Sequence, residues 1–367
     1  MKNLALFFTL FISLNALAQN QNPTNDTLSL LFIGDIMGHD SQILSAYNPA
    51  TETYNYHEVF EEIAPVIRKH DYGIANLEVV LGGKPYKGYP QFSSPDELAV
   101  ACKNNGINVL VTANNHSCDK GKVGVQRTVQ VLDSLDIRHT GTFKHKKERS
   151  EKNLLILSQK NLRVGLLNYT YGTNGLPTPE PTFVNRIDTS LMASDIRASK
   201  KANLDKLIVF LHWGTQYESH PNKTQENLAG FLLKKGVDII IGSHPHVLQR
   251  MEYHPGDSIQ KERLVVYSLG NYVSNQRTRK RDGGAMVRIV LVKSEKGTHI
   301  TDKGYYLTWV NKFKTDDKWN FQILPASLYE KSNYQGLYQY STDKLKLFLD
   351  DSRTLLDKEN INVPEIK

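Results

Sequence analysis

The sequence has few cysteines, with only Cys102 and Cys118 among 367 residues. Two cysteines cannot form the disulfide framework on which small secreted domains depend. An oxidising compartment would allow one bridge, but Cys118 belongs to a polar motif, and we expect no bridge there. At 40% hydrophobic content, the chain is long enough to fold around a sizeable core instead.

Apolar runs long enough to span a membrane are also missing, since a spanning helix needs ~20 residues. The apolar stretch from Leu4 to Leu14 is shorter. It follows Lys2 and precedes the small-residue pattern Ala16-Leu17-Ala18. We therefore predict a signal peptide at residues 1–18, a polar linker at 19–27 and a mature chain without a transmembrane segment, exported to the periplasm or the extracellular space.

The sequence lacks a basic run with interleaved aromatic residues, which argues against a nucleic-acid partner. The stretch Arg277-Thr278-Arg279-Lys280-Arg281 is short, and we expect a solvated loop there. The net charge of +7 fits an anionic substrate, although an ordinary basic surface would give the same value.

Short β-branched runs alternate with amphipathic helical stretches, which is typical of a mixed α/β or α+β fold with helices on the faces of a sheet. The predicted strands are Leu28–Ile33, Tyr72–Leu77, Asn108–Thr112, Leu154–Leu157, Val164–Asn168, Leu207–Leu211, Val237–Ile241, Leu264–Tyr267 and Met286–Val292. The predicted helices are His57–Lys69, Pro95–Asn104, Val123–Leu135, Leu191–Ala202, Lys223–Lys235 and Thr342–Leu356. Residues 28–290 form the main domain in this interpretation, and residues 291–367 extend it with strands and a helix.

Polar residues of similar kind follow five of the predicted strands. They are Asp35, Glu78, the group Asn114, Asn115, His116 and Asp119, then His212, and finally His244 with His246. In an open α/β sheet, ligands bind beyond the carboxyl ends of the strands, so these side chains can meet in one crevice. Carboxylates, amide oxygens and neutral imidazoles bind hard and borderline divalent ions, and two ions about 4 Å apart would clamp a phosphate-like group.

Taken one at a time, most of these residues have a structural explanation. Asp35 could cap a helix, and Glu78 could be exposed at a strand end. Asn114 and Asn115 could form a turn. His212 could be a hydrogen-bonded histidine packed against an aromatic ring. The combination of five strand ends is what favours a metal site.

His244 and His246 are separated by Pro245, and we expect an extended segment that projects both rings to the same side. This spacing favours a metal or catalytic role. A serine nucleophile has less support, because neither Ser243 nor Ser268 lies in a Gly-x-Ser-x-Gly turn.

The ordered series of motifs resembles the CapA family of capsule and poly-γ-glutamate synthesis proteins over about residues 28–290. The motifs are Gly34-Asp35-Ile36-Met37, Asn76-Leu77-Glu78, Ala113-Asn114-Asn115-His116 with Asp119 and Gly121, His212-Trp213-Gly214, Gly242-Ser243-His244-Pro245-His246 and Tyr267-Ser268-Leu269-Gly270-Asn271. The resemblance implies a branch of the calcineurin-like metallophosphoesterase fold, a four-layer α/β/β/α sandwich of two mixed sheets flanked by helices.

The same resemblance implies a role for each polar residue. One or two divalent ions of Mn, Zn, Fe or Mg would be bound by Asp35, Glu78 and His246 at a first position and by Glu78, Asn115, His212 and His244 at a second, with Glu78 as the bridge. His116 and Asp119 would be catalytic, with His116 as the general acid. Accessory roles would fall to His39, Asn114 and Asn271.

Two positions depart from the phosphoesterase pattern that the resemblance implies. Met37 stands where a histidine ligand is expected, and Glu78 replaces an aspartate. His39 could compensate for Met37, although it lies four residues from Asp35. The first metal position is therefore expected to be weaker than the second.

These observations favour an exported metal-dependent hydrolase that acts on an anionic capsule or poly-γ-glutamate-like polymer, or on another phosphate- or carboxylate-bearing substrate. The alternative is a non-catalytic accessory protein that binds the polymer during synthesis or export. Other polymer-synthesis proteins are possible partners in both cases. A purely structural surface domain is a third interpretation, and it predicts no stoichiometric metal.

Overall fold

The computed structural model describes residues 26–257, 260–315 and 317–367. The predicted signal peptide at residues 1–18 lies outside the described residues. The first strand begins at Asp26, so the last two residues of the predicted linker belong to it. Within the described ranges, no helix is both long and apolar enough to cross a membrane. Cys102 and Cys118 are buried and are not bridged to each other.

The strands form two large mixed sheets and two short pairs. In chain order they are β1 Asp26–Ile36, β2 Tyr47–Asn48, β3 Thr53–Tyr54, β4 Tyr72–Leu77, β5 Ile107–Val111, β6 Arg138–Thr140, β7 Thr142–Phe143, β8 Leu155–Gln159, β9 Leu162–Thr170, β10 Phe183–Val184, β11 Lys206–His212, β12 Ile239–Ser243, β13 Leu248–His254, β14 Arg263–Leu269, β15 Asn271–Val273, β16 Gly283–Ser294, β17 Gly297–Thr315 and β18 Lys318–Pro325. The first sheet has the order β18-β17-β16-β1-β4-β5-β6 with β15 beside β1, and the second has the order β13-β14-β12-β11-β9-β8.

The helices lie between these strands and after them. They are α1 Asp40–Ala46, α2 His57–Phe60, α3 Ala64–Ile67, α4 Glu97–Asn104, α5 Gly121–Ser134, α6 Lys146–Lys152, α7 Thr189–Ser199, α8 Lys223–Lys235, α9 Ala326–Lys331 and α10 Gln339–Glu359, with a short 3-10 helix at Lys200–Ala202. Each of the nine predicted strands overlaps an observed one, and α8 has the predicted bounds.

One predicted helix is wrong. The stretch predicted as a single helix over His57–Lys69 forms two one-turn helices, α2 and α3. Pro65 lies in the first turn of α3. Because proline has no backbone N–H and its ring clashes with the preceding turn, it is tolerated at a helix start but not in a helix interior. The chain therefore restarts its helix at this proline.

The side chains of each large sheet alternate between two apolar layers, as the period of two along a strand requires. On β1, Leu30 and Phe32 join a cluster between the two sheets, whereas Leu31 joins a cluster under α2, α3 and α4. On β11, Phe210 faces the cluster between the sheets and Val209 faces α7 and α8. Three apolar layers therefore separate four layers of structure, and the predicted α/β/β/α arrangement is confirmed.

The residues after β16 share this core. Strands β17 and β18 extend the first sheet, and Leu345, Phe348 and Leu349 of α10 belong to the cluster between the sheets. Arg353 of α10 also pairs with Glu330 and Glu365, at 2.7 and 2.9 Å. Helix α10 is thus held against the sheets by apolar contacts and joined by ion pairs to α9 and to the C-terminal segment.

Phe210 is fully buried between the sheets, so the variant Phe210→Ala should lose about 3–5 kcal/mol of the free energy of unfolding because it leaves a cavity. Leu44 is 68% exposed, and the control Leu44→Ala should change this free energy by no more than about 0.5 kcal/mol. Denaturant unfolding measures both variants. A loss under about 1 kcal/mol for Phe210→Ala would contradict the packing described here.

Candidate metal centre

The polar residues of the five strand ends meet where the two sheets lie against each other. The first sheet contributes Asp35 at the end of β1, Glu78 after β4 and Asn115 after β5, and the second contributes His212 at the end of β11 and His244 after β12. These side chains are at most 3% exposed. Parallel pairing of β1 with β4 and of β11 with β12 brings their carboxyl ends together.

The backbone at Gly34 explains the position of Asp35. The pairing of β1 with β4 shifts register between Ile33 and Asp35, and the Asp35 N–H donates to the Gly270 carbonyl at 3.1 Å. A Cβ atom added at Gly34 would lie only 2.2 Å from that carbonyl oxygen. Because a residue with a side chain cannot fit here, glycine allows β15 to approach and the bulge directs Asp35 into the site.

The prediction of an extended His244-Pro245-His246 segment is wrong. The φ angles of His244 and His246 are 100° and 58°, in the left-handed region that non-glycine residues seldom adopt. Such conformations persist only where surrounding contacts hold them. Here the His244 N–H donates to Asp35 Oδ2 at 3.3 Å, and the Tyr217 N–H donates to the Pro245 carbonyl at 2.8 Å. The two imidazole rings are tilted by 56° to each other, with centroids 6.0 Å apart.

Two groups of ligand atoms can each hold a divalent cation. One consists of Glu78, His212 and His244, and the other of Asp35, Glu78 and His246, with the atoms of each group within 4.8 Å of one another. Glu78 is common to both groups. The turn at Pro245 divides the two histidines between them, His244 in one and His246 in the other.

The carboxylate of Glu78 tests whether these residues suit a metal. Its side chain is 0% exposed, and neither oxygen has a hydrogen-bond partner among the described residues. The Nε2 atoms of His212 and His246 lie 3.5 and 3.7 Å from Oε1. Burial, followed by the charge of Asp35, raises the pKa of Glu78 well above its usual range. A buried carboxylate without donors is the environment that a bound cation would stabilise, so the residues fit a divalent ion.

His212 and His244, which share a ligand group with Glu78, are neutral, as metal binding requires. Burial lowers the pKa of His244 to about 3, with a smaller effect from His246. Burial and the neighbouring His244 also hold the pKa of His212 well below its usual range. His212 Nε2 lies 3.1 Å from His244 Nδ1 and 2.6 Å from Asn115 Oδ1. Three ligand-type atoms thus converge beside Glu78.

Asn271 orients the imidazole of His246. Its Nδ2 donates to the Arg281 carbonyl at 2.7 Å, which places its Oδ1 toward His246 Nδ1 at 3.1 Å. An amide oxygen can only accept, so this contact selects the tautomer with a proton on Nδ1. The Nε2 lone pair then remains available for a metal.

His116 and Asp119 form a buried pair beside the ligand groups. His116 Nδ1 lies 2.8 Å from Asp119 Oδ2, and the same oxygen accepts the Phe92 N–H at 2.7 Å. The Phe92 ring packs edge-on against the imidazole, with centroids 4.6 Å apart. Asn114 Oδ1 accepts the His116 N–H at 3.0 Å and so helps to shape the turn that carries the imidazole.

His39 and Met37 line a cavity that opens beside the metal-ligand groups. Neither ligand group includes His39. Its Nδ1 is 3.1 Å from Gln42 Oε1 and 3.3 Å from the Asn275 backbone nitrogen, and burial lowers its pKa. Met37 is 2% exposed. Neither His39 nor Met37 therefore adds a fourth ligand to the group of Asp35, Glu78 and His246.

Three residues that contact the site were absent from the sequence-predicted set. Asn76 Nδ2 donates to Asp35 Oδ1 at 2.8 Å, and Ser243 Oγ lies 3.0 Å from His212 Nδ1. Asn174 Oδ1 accepts from Asn115 Nδ2 at 3.1 Å. Asn76 precedes Glu78 by two positions. Because residues two apart on a strand face the same side, this spacing could have identified Asn76 as a neighbour of the site. Asn174 lies in a long loop, and no sequence pattern identifies it as a site residue.

A cavity of about 650 Å³ opens beside these residues. Its wall includes two loop segments, at residues 89–91 and at 174 and 176. The lining residues are Met37, His39, Tyr89, Pro90, Gln91, Asn115, His116, Asp119, Asn174, Leu176, Gln216, Tyr217, His246 and Gln276. The cavity reaches the ligand groups through Asn115 and His246.

The variant Glu78→Gln should have opposite effects on the metal-free and metal-saturated proteins. Without metal, it should raise the free energy of unfolding at pH 7 by about 1–3 kcal/mol, because a neutral amide replaces a buried charge without partners. Because burial raises the pKa of Glu78, the free energy of unfolding of the metal-free wild type falls as the pH rises above the usual pKa of 4.5. With added Mn²⁺ or Zn²⁺, the wild type should gain more stability than the variant.

Thermal unfolding with and without metal measures these opposite effects on stability. The control is Glu295→Gln at an exposed turn. Equal metal-induced stabilisation of the wild type and Glu78→Gln would contradict the assignment of Glu78 as a ligand.

Comparison with known proteins places the chain among capsule proteins. Capsule biosynthesis protein CapA of Bacillus anthracis is 29% identical over 300 residues, covering 78% of this chain and 69% of that protein. PGA biosynthesis protein CapA of Bacillus subtilis (strain 168) is 31% identical over 284 residues, covering 75% and 70%.

Two solved structures resemble the fold at low identity. The NAD nucleotidase of Haemophilus influenzae matches with a TM-score of 0.49 and 13% identity, over 90% of this chain and 68% of that one. A calcineurin-like phosphoesterase from Bacillus subtilis matches with a TM-score of 0.44 and 12% identity, over 88% and 99%. Residues 29–276 match the family described as bacterial capsule synthesis protein PGA_cap. Since this match covers more than half of the chain, the protein belongs to that family.

Proposed function

We propose that the protein is an exported metal-dependent hydrolase that acts in the synthesis or processing of an anionic capsule polymer of the poly-γ-glutamate type. The observation that carries this proposal is the buried carboxylate of Glu78, which has no hydrogen-bond partner among the described residues and belongs to both ligand groups. Family membership supports a role in capsule synthesis. The signal peptide predicted at residues 1–18 supports export.

We assign the metal ligands to two positions. Asp35, Glu78 and His246 hold the first ion, and Glu78 shares the second with His212, His244 and Asn115 Oδ1. Nitrogen and oxygen donors of this kind suit Mn, Zn, Fe or Mg. The second position has one ligand more, because Met37 cannot supply the nitrogen that a histidine would. The second ion should therefore be bound more tightly.

The reaction is hydrolysis, in which water attacks phosphorus or a carbonyl carbon and the leaving atom takes a proton. When bound, the divalent ions supply Lewis acidity and lower the pKa of water. His116 supplies the proton to the leaving atom. Its Nδ1 lies against Asp119, which orients the ring and leaves Nε2 for proton transfer. The buried edge of Phe92 keeps this imidazole in place.

The alternative is a non-catalytic accessory protein that binds the polymer during synthesis or export, with other synthesis proteins as partners. The specific observation in its favour is Met37, which leaves the first ligand group with three members. Against it stands the His116–Asp119 pair, since polymer binding does not require a general acid. Metal is present in both versions, so turnover decides between them.

Turnover is tested with metal-loaded protein on a phosphomonoester, a phosphodiester and a γ-glutamyl oligomer, after metal analysis of the same sample. The proposal expects hydrolysis of at least one substrate, abolished by chelation and restored by added metal. Tight oligomer binding without turnover under Mn²⁺, Zn²⁺, Fe²⁺ and Mg²⁺ would support the accessory role instead. Absence of stoichiometric metal would contradict both.

The variant His116→Gln should lower kcat by about 10²–10⁴-fold, because it removes the proton donor. Its metal content should match the wild type, since neither ligand group includes His116. Asp119→Asn should lower kcat less, because it weakens only the support of the imidazole. Steady-state kinetics with metal analysis separates these effects, and His57→Gln at an exposed histidine is the matched control. Wild-type kcat in His116→Gln would rule out its role as the acid.

A further inference from the structure

The pocket beside the metal ligands has a wall of amides and aromatic rings. Among the lining residues in the described part of the chain, none is lysine or arginine. The amide side chains of Gln91, Gln216, Gln276 and Asn174 suit a substrate rich in hydrogen-bonding groups. If an anionic group of such a substrate lies away from the metal ligands, the lining residues offer it no lysine or arginine. The compensating cation must then come from a residue next to the wall.

The loop that follows β15 carries three arginines with different surroundings. Arg279 forms a two-bond pair with Asp351, at 2.6 and 2.7 Å. Arg277 lies over the Trp309 ring and 3.9 Å from Asp282. Arg281 has no acidic partner within the described residues, and its guanidinium lies 3.3 Å from the centroid of the Tyr217 ring. The sequence predicted a solvated loop here, yet this arginine is only half-exposed.

Tyr217 is itself held in an unusual position. Its φ angle is 71°, a left-handed value that is rare for a bulky residue and that persists only where contacts impose it. Its N–H donates to the Pro245 carbonyl, and its ring centroid lies 6.1 Å from that of His246. The ring is 40% exposed and lines the pocket. Tyr217 thus connects the metal-ligand turn to the guanidinium of Arg281.

We infer that Arg281, stacked on Tyr217 at the pocket wall, binds a carboxylate of the substrate next to the bond that is cleaved. The guanidinium carbon of Arg281 lies over the Tyr217 ring, and guanidinium N–H groups match the two oxygens of a carboxylate. The inference rests on the proposed function and adds to it a residue that determines specificity.

A hydrogen bond fixes the main chain of Arg281 relative to a metal ligand. Asn271 donates to the Arg281 carbonyl at 2.7 Å, while its Oδ1 faces His246 Nδ1 at 3.1 Å. One side chain therefore links the arginine loop to a metal-ligand histidine. In this proposal, Arg281 binds a carboxylate of a regular polymer while the neighbouring backbone bond lies in the cavity beside the ligand groups.

The test uses a γ-linked glutamate oligomer and the same oligomer with its side carboxylates converted to amides. The metal-loaded wild type, Arg281→Gln and Arg281→Lys are compared by KM, or by Kd from calorimetry where no turnover occurs. Arg281→Gln should raise KM or Kd for the carboxylate oligomer about tenfold and leave the amide oligomer unchanged. Arg281→Lys should recover part of the loss, because it restores charge without the planar fork.

The control is Arg279→Gln, which removes the same charge from the same loop at a guanidinium already paired with Asp351. It should leave both oligomers unaffected. Equal effects of Arg281→Gln on the two oligomers, no effect on either, or a wild type that binds neither would each overturn the inference. Metal content and hydrolysis of the phosphomonoester, the phosphodiester and the γ-glutamyl oligomer, measured on the same preparations, test the proposed function separately. Absence of metal, or of hydrolysis of all three substrates, in the wild type overturns that function. Intact metal binding and hydrolysis without discrimination between the oligomers overturn the inference alone.

Discussion

The carboxylate of Glu78 is the constraint on which the rest of the site depends. It is fully buried where the two sheets meet, and none of the described residues donates a hydrogen bond to it. A buried charge without partners costs several kcal/mol unless a cation compensates it. The fold places Asp35 from one sheet and three histidines from the other around this group, so compensation by a divalent ion would also join the two sheets.

The pattern of the sequence was enough to predict a mixed α/β fold and the location of the site, whereas the four-layer arrangement was implied by the family resemblance. Short β-branched runs that alternate with helical stretches predict sheets covered by helices, and polar residues after five strands predict a shared edge, because parallel strands end on the same side. The roles assigned to Asp35, Glu78, Asn115, His116, His212, His244 and His246 came from the resemblance, and the structure brings these residues together without establishing those roles.

Other features depend on contacts between distant segments, which no local pattern contains. The left-handed backbone of His244 and His246 is imposed by Asp35 and Tyr217, from other strands and loops. Asn174 reaches Asn115 from a loop without a regular pattern. The pairing of Arg281 with Tyr217 joins residues 64 positions apart, and a local reading of the basic stretch could only predict a solvated loop. In these cases tertiary contacts had overridden local preference, whereas the wrong helix at His57–Lys69 overlooked a local signal, Pro65.

Diffraction from crystals soaked in Mn²⁺, recorded for anomalous scattering, tests the central claim most directly. The account predicts a peak within about 2–2.5 Å of a Glu78 oxygen, between His212 and His244, and a weaker peak on the side of Asp35 and His246. Glu78 would then be a ligand shared by two ions of unequal occupancy. An anomalous map without a peak at Glu78, at Mn²⁺ concentrations that saturate thermal stabilisation, would contradict the account.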